Sequence, residues 1–189
     1  MLTPWGESQQ ETKLADGIVS YSTAGHGGIH VDQGHNLLIH KAWRIDDGWY
    51  EEDCEWAKVA FHFPAYFTAK QVASAVETLK GYFYREYEIV TGDKVDISES
   101  SVMRQDIWNK EHENHLQVIS AYGTWCQGVP VGMVGVVTVL GSKLDYKTHT
   151  HNKSDERYFL VPESEYTIPF AIEDPAKYQE VKEFDSGEK

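Results

Sequence analysis

Between Val72 and Phe83 the apolar positions Val72, Val76, Leu79 and Phe83 recur at steps of four, three and four. That spacing keeps them on one face of an α-helix. Thr68, with Gln71 three residues later, is a capping-box signature, so a helix is predicted from Ala69 to about Tyr87, ending before Gly92. A second helix is predicted from about Tyr50 to Phe63. There Trp49, Trp56, Ala60 and Phe63 fall at steps of seven, four and three, and Pro64 stops the run. Glu51 and Glu55 then lie one turn apart, followed by Lys58, and acidic residues in a first turn suit the positive end of the helix dipole. Asp32 is a candidate N-cap for a short helix in the following QGHNLLIHKAW, with Gly34 weakening it.

Before that cap, GIVSYSTAGHGGIHV alternates and then breaks into glycines, the pattern of a short strand, a turn and a second short strand. Residues 93–114 are polar and weakly patterned, and a loop with at most one helical turn is predicted there. From Leu116 the β signals dominate in LQVISAYGTW, VGMVGVVTVL, RYFLVPES and YTIPFAI, with Gly and Pro between them at spacings that suit a meander. The last seventeen residues, 173–189, hold six acids and three lysines and are expected to form a surface-bound or frayed acidic tail. The expected class is α+β, a single domain over 1–172. Two or three helices of the N-terminal half would pack on a mainly antiparallel sheet of the C-terminal half.

The chain has 189 residues, with 17 Lys and Arg against 30 Asp and Glu, a net charge of −13. That balance opposes direct nucleic-acid binding, which neutralises phosphates with a basic face, and it opposes anionic membrane surfaces. The longest apolar run, Val129 to Leu140, has twelve residues, short of the ~20 of a membrane helix. The first residues show neither a basic segment nor an apolar one after it, so no secretory signal is read and a cytoplasmic location is expected. Cys54 and Cys126 are too few for a disulfide framework. Strands such as Val131–Leu140 can pair across a homodimer as readily as within a monomer.

Two segments carry candidate chemistry. Asp46, Asp47, Glu51, Glu52, Asp53 and Glu55 form an acidic run with no basic residue among them. It reads either as a solvated helix start or as a negative surface that meets a basic partner. In SYSTAGHGGIH, Gly25, Gly27 and Gly28 surround His26 and allow close approach of a ligand or of another backbone. The bland alternative for this segment is a tight turn with a backbone-bonded histidine. The phosphate-loop patterns GxGxxG and GxxxxGK[ST] and the G-x-S-x-G elbow are absent. Nine histidines invite a metal reading, but His112 and His115 in EHENH lie three apart, where a helical zinc motif needs four. No constellation offers three ligands, so neither a metal nor another cofactor is expected, and His112, His115, His149 and His151 are assigned to exposed loops.

TPWG, STAGHGGI, WYEED, PVGMVGV and RYFLVPESEY, in that order from Thr3 to Tyr166, are similar to an uncharacterised domain found in proteins of bacteriophages, plasmids and other mobile elements. The resemblance implies a bacterial cell as the place of action and carries no catalytic role. With the charge, it leads to an expected partner: a host protein or complex, bound and inhibited or modulated through Asp46–Glu55, with those carboxylates standing where phosphates would. The alternative is a small hydrolase or transferase at the Ser22–Gly28 loop. In it His26 is the general base, Ser22 or Thr23 is a substrate contact, and Asp32 or Asp53 orients the base.

Overall fold

The glycine-punctuated segment before Asp32 folds into the two strands its pattern predicts, and they sit at the centre of a sheet. In this computed structural model, which describes residues 1–184, the chain divides into two units, 1–105 and 106 onward. Unit 1 starts with the small pair β1 (Leu2–Thr3) and β2 (Gly6–Glu7). Then β3 (Gln10–Ala15), β4 (Ile18–Ser22), β5 (Gly27–Val31) and β6 (Trp49–Glu51) form an antiparallel sheet in chain order. Between β5 and β6 lies α1 (Gln33–Asn36), capped by Asp32 as predicted, whose carboxylate accepts the His35 amide.

After α1, unit 1 continues with the helices α2 (Trp56–His62), α3 (Ala69–Tyr82) and α4 (Tyr84–Thr91). Thr68 and Gln71 make the full capping box, and Gly92, at φ +79°, takes the left-handed conformation that ends α4. Two boundaries differ from the prediction. Residues 49–51 are a strand and 52–55 a turn, so α2 starts only at Trp56, and Trp49 belongs to the sheet. The helix expected as one piece from Ala69 breaks at Phe83 (φ −126°, ψ 39°). Gly81, a weak helix former, lies two residues before the break, and the apolar spacing runs across it. The core gathers Ile18, Ile29, Val31 and Tyr50 from the sheet with Ala57, Val59, Ala60, Ala75, Leu79 and Tyr87 from the helices, around Ile39 and Trp43. Full burial of each large side chain contributes roughly 1.5–3 kcal/mol.

One half-buried histidine at the edge of this core makes it sensitive to pH. The ring of His62 is held by the Lys58 carbonyl at 2.9 Å through Nδ1, and its Nε2 faces the His40 backbone N–H at 3.0 Å. One nitrogen must donate to a carbonyl while the other accepts, which requires a neutral ring. Burial pushes the pKa of His62 below the ordinary 6.5. On acidification the unfolded chain therefore takes up this proton first, so the group's contribution to stability is complete above pH 6.5 and is lost as pH falls below it. Urea midpoints at about pH 7.5 and about pH 5 are expected to differ, and His62→Gln is expected to shrink the difference. An unchanged difference in the variant contradicts this account.

A polar stretch of the chain is also helical: α5 (Ser101–Glu111) occupies residues expected to be loop. None of its residues is buried, and a helix without an apolar stripe leaves no periodic signal. Unit 2 holds the predicted meander, β7 (Leu116–Tyr122), β8 (Met133–Leu140) and β9 (Arg157–Pro162). Its edges are β10 (Ala171–Ile172) beside β7 and β11 (Gln179–Val181) beside β9. On one face Val136, Phe159, Val161 and Ile172 pack together; another cluster takes Val137 and Leu160 with Cys126 and Phe184. Burial on both faces is why β8 reads as an unbroken apolar run. Of the expected acidic tail, 179–181 are thus an edge strand and Phe184 is buried. Residues 185–189 lie outside the described residues. The molecule is α+β, and none of its described helices is long and apolar enough to cross a membrane.

Candidate functional site

The register of β5 on β6 pairs Gly28 with Glu51 and Ile29 with Tyr50. It joins the two segments singled out in the sequence, the glycine–histidine loop and the acidic run. The loop is a tight hairpin closed by Ser22 opposite Gly27. Thr23 donates to the His26 carbonyl through its amide (2.7 Å) and its hydroxyl (2.8 Å), and its Oγ1 accepts the His26 amide at 3.1 Å. His26 is thereby left exposed at the tip, with Nδ1 4.0 Å from Glu51 Oε1. A Cβ on Gly28 would stand 2.2 Å from the Trp5 ring and 2.5 Å from the Tyr50 carbonyl, and one on Gly27 would stand 2.6 Å from Glu52 Oε2. Gly25 meets nothing within 4 Å, so packing does not require glycine there.

Beside this junction runs a groove of about 600 Å³. Ser20, Tyr21 and Ser22 of β4 and Gly28 and Ile29 of β5 form one wall, and Lys70, Gln71 and Ser74 of α3 face them. Trp56, Phe67 and Leu14 supply apolar surface and Glu52 a carboxylate. Ser22, Gly28 and Glu52 are thus brought to one cavity. The groove residues of α3 escaped the sequence reading because polar positions on a helix are ordinarily its solvent side.

The six acids are not equivalent. Glu55 pairs with Lys58 at 3.0 Å, and Lys58 is itself buried beneath the Phe83 ring. Asp47 accepts the Trp49 amide at 3.0 Å, and one oxygen of Glu51 accepts the Asp53 amide at 2.8 Å. These three hold the turn and the start of α2. Asp46, Glu52 and Asp53 are exposed and their carboxylates bond no other described residue. Asp32, expected to orient His26, is engaged elsewhere: its carboxylate caps α1 and meets His35 Nδ1 at 2.9 Å, and those bonds hold its pKa below the usual range. The carboxylate that faces His26 is Glu51. Burial and then the neighbouring Asp53, Glu51 and Glu55 push the Cys54 thiol up, which disfavours it as a nucleophile.

Among the described residues, one group of three His, Cys, Asp or Glu side chains is close enough to share an ion. It consists of His26, Glu51 and Glu52, whose ligand atoms lie within 4.8 Å of one another. Of the four histidines expected on exposed loops, His149 is exposed, while His112, His115 and His151 are half-buried. His112 bonds the Trp108 carbonyl at 2.8 Å, and His151 bonds Glu156 at 2.8 Å, whose other oxygen accepts the Tyr158 hydroxyl at 2.5 Å.

No curated protein and no solved structure matches the chain. Residues 1–113, which contain all of unit 1 and every part of this site, match the model of a family described as a domain of unknown function, DUF7007. With more than half of its length matched, the chain belongs to the DUF7007 family.

Proposed function

We propose that the protein is a binding protein of a bacteriophage or plasmid that works in the bacterial cytoplasm. It engages a host protein or complex, of defence or nucleic-acid handling, through the acidic face of unit 1, and inhibits or modulates it. The observation that carries this reading is the β5–β6 register, which sets Glu51 and Glu52 of the acidic run against the glycine loop, with Glu52 in the groove lining. Asp46, Glu52 and Asp53, unbonded by other described residues, offer charge to a basic surface, and charge of one sign speeds and orients docking. In capture by the tagged protein from a bacterial lysate, one stoichiometric partner is expected. It should survive nuclease and weaken as salt rises. No partner at either low or moderate salt contradicts the proposal.

A second reading, a small hydrolase or transferase at the Ser22–Gly28 loop, is favoured by Glu51 facing His26. It requires that His26→Ala abolish an activity while the fold survives.

A further inference from the structure

We infer that His26, Glu51 and Glu52 form a site for a divalent transition-metal cation of the zinc class, open on the groove side. The inference does not rest on the host-protein reading. Three observations carry it. An imidazole nitrogen and two carboxylates meet within 4.8 Å, a donor set that suits zinc and its neighbours better than magnesium, which prefers oxygen alone. Glu51 Oε1, the oxygen turned toward His26, is sealed from solvent and has no hydrogen-bond partner, although it belongs to a charged group. Such an atom is costly to bury unless something positive meets it. Lastly, no Lys or Arg neutralises the two carboxylates: Lys70 shares the groove, yet the one ion-pair partner of either carboxylate among the described residues is His26 itself.

The backbone supports this placement. Gly27, without a Cβ, leaves the space that Glu52 Oε2 occupies, and the Gly28–Glu51 pairing fixes the strand that carries Glu51. Ligand atoms around an ion with bonds of ~2.0–2.2 Å sit roughly 3–4 Å apart. Small rotations of the exposed His26 and Glu52 therefore close the set. Three protein ligands leave one position for water or for an oxygen of a group seated in the groove beside Glu52 and Ser22. The zinc ion itself is the probe that tests this.

The full chain, purified without a polyhistidine tag and stripped with chelator, would be titrated calorimetrically with Zn²⁺ and, in parallel, with Mg²⁺. One equivalent of Zn²⁺ is expected, with Mg²⁺ much weaker. His26→Ala, Glu51→Gln and Glu52→Gln should each weaken Zn²⁺ by at least ~10-fold. The double variant Asp46→Asn/Asp53→Asn, which removes the same kind of charge beside the site, should stay within ~3-fold of wild type. Zn²⁺ should raise the melting temperature of the wild type and lose that effect in the three ligand variants, whose metal-free melts report their folding. Absence of a saturable one-equivalent site overturns the inference. So does equal weakening by all the acidic variants, or binding retained in the three ligand variants and lost in His112→Ala.

Discussion

Gly28→Val is expected to lower the stability of the protein by about 3 kcal/mol, the upper end for forcing atoms into a packed site. It should also weaken whatever binds at the groove mouth. The first Cβ atom alone would stand 2.2 Å from Trp5 Cη2 and 2.5 Å from the Tyr50 carbonyl oxygen. Trp5 is a side chain that can swing away. The Tyr50 oxygen belongs to the neighbouring strand, so relief there means opening β5 from β6, the pairing that holds Glu51 and Glu52 against the loop. Trp5→Ala in the same chain should therefore recover part of the loss and leave the rest. Urea unfolding of the single and double variants measures both parts. A loss below about 1 kcal/mol for Gly28→Val would contradict the close approach.

Trp43→Ala is expected to cost about 4 kcal/mol, in the range found when a buried aromatic ring is truncated. Trp43 is 1% exposed and packs edge-on to Phe61 at 5.2 Å and His62 at 5.6 Å, with Tyr87 at 6.4 Å. Its indole N–H is buried without a hydrogen-bond partner, which gives the site an asymmetry. Trp43→Phe keeps most of the ring contacts and removes an unsatisfied donor worth about 1–3 kcal/mol. It should lose less than half of what alanine loses. Denaturant unfolding of the two variants decides the point, because a phenylalanine as costly as alanine would mean that the indole N–H is bonded in solution.

What the chain disclosed before its structure was known follows from where local chemistry settles the outcome. The Thr68–Gln71 box, the Gly92 stop and the Asp32 cap are bonds between near neighbours, and each stands where the sequence puts it. The C-terminal meander was legible because strands buried on both faces are apolar throughout. The N-terminal sheet was legible only in its two central strands, β4 and β5. Its edge strand β3 exposes Gln10 to Lys13, as an edge that resists pairing does, and so shows no alternation. The strand β6 has three residues, and Trp49 happens to fall in register with the helix that follows. Reading 49–51 as helix concealed the one pairing that unites the glycine loop with the acidic run. His26 and the acids were each visible as candidates, but Glu51 as the neighbour of His26 is a product of strand register. Lys58 gave no sign that it would be buried against Phe83, since its neutralisation depends on Glu55 and on a ring twenty-five residues away.

The same register organises the functional account. It sets Glu51 and Glu52 against the glycine loop, with Glu52 in the lining of a groove and Asp46 and Asp53 exposed on the same acidic run, in the part of the chain that carries the family match. The most direct measurement is capture from a bacterial lysate with three proteins side by side. These are the wild type, the acidic-face variant Asp46→Asn/Glu52→Gln/Asp53→Asn, and a control, Glu77→Gln/Glu111→Gln/Glu163→Gln. The control removes the same net charge at exposed positions elsewhere. The account predicts one nuclease-resistant partner held by the wild type and the control, and lost from the acidic-face variant. Equal capture by all three proteins would contradict it.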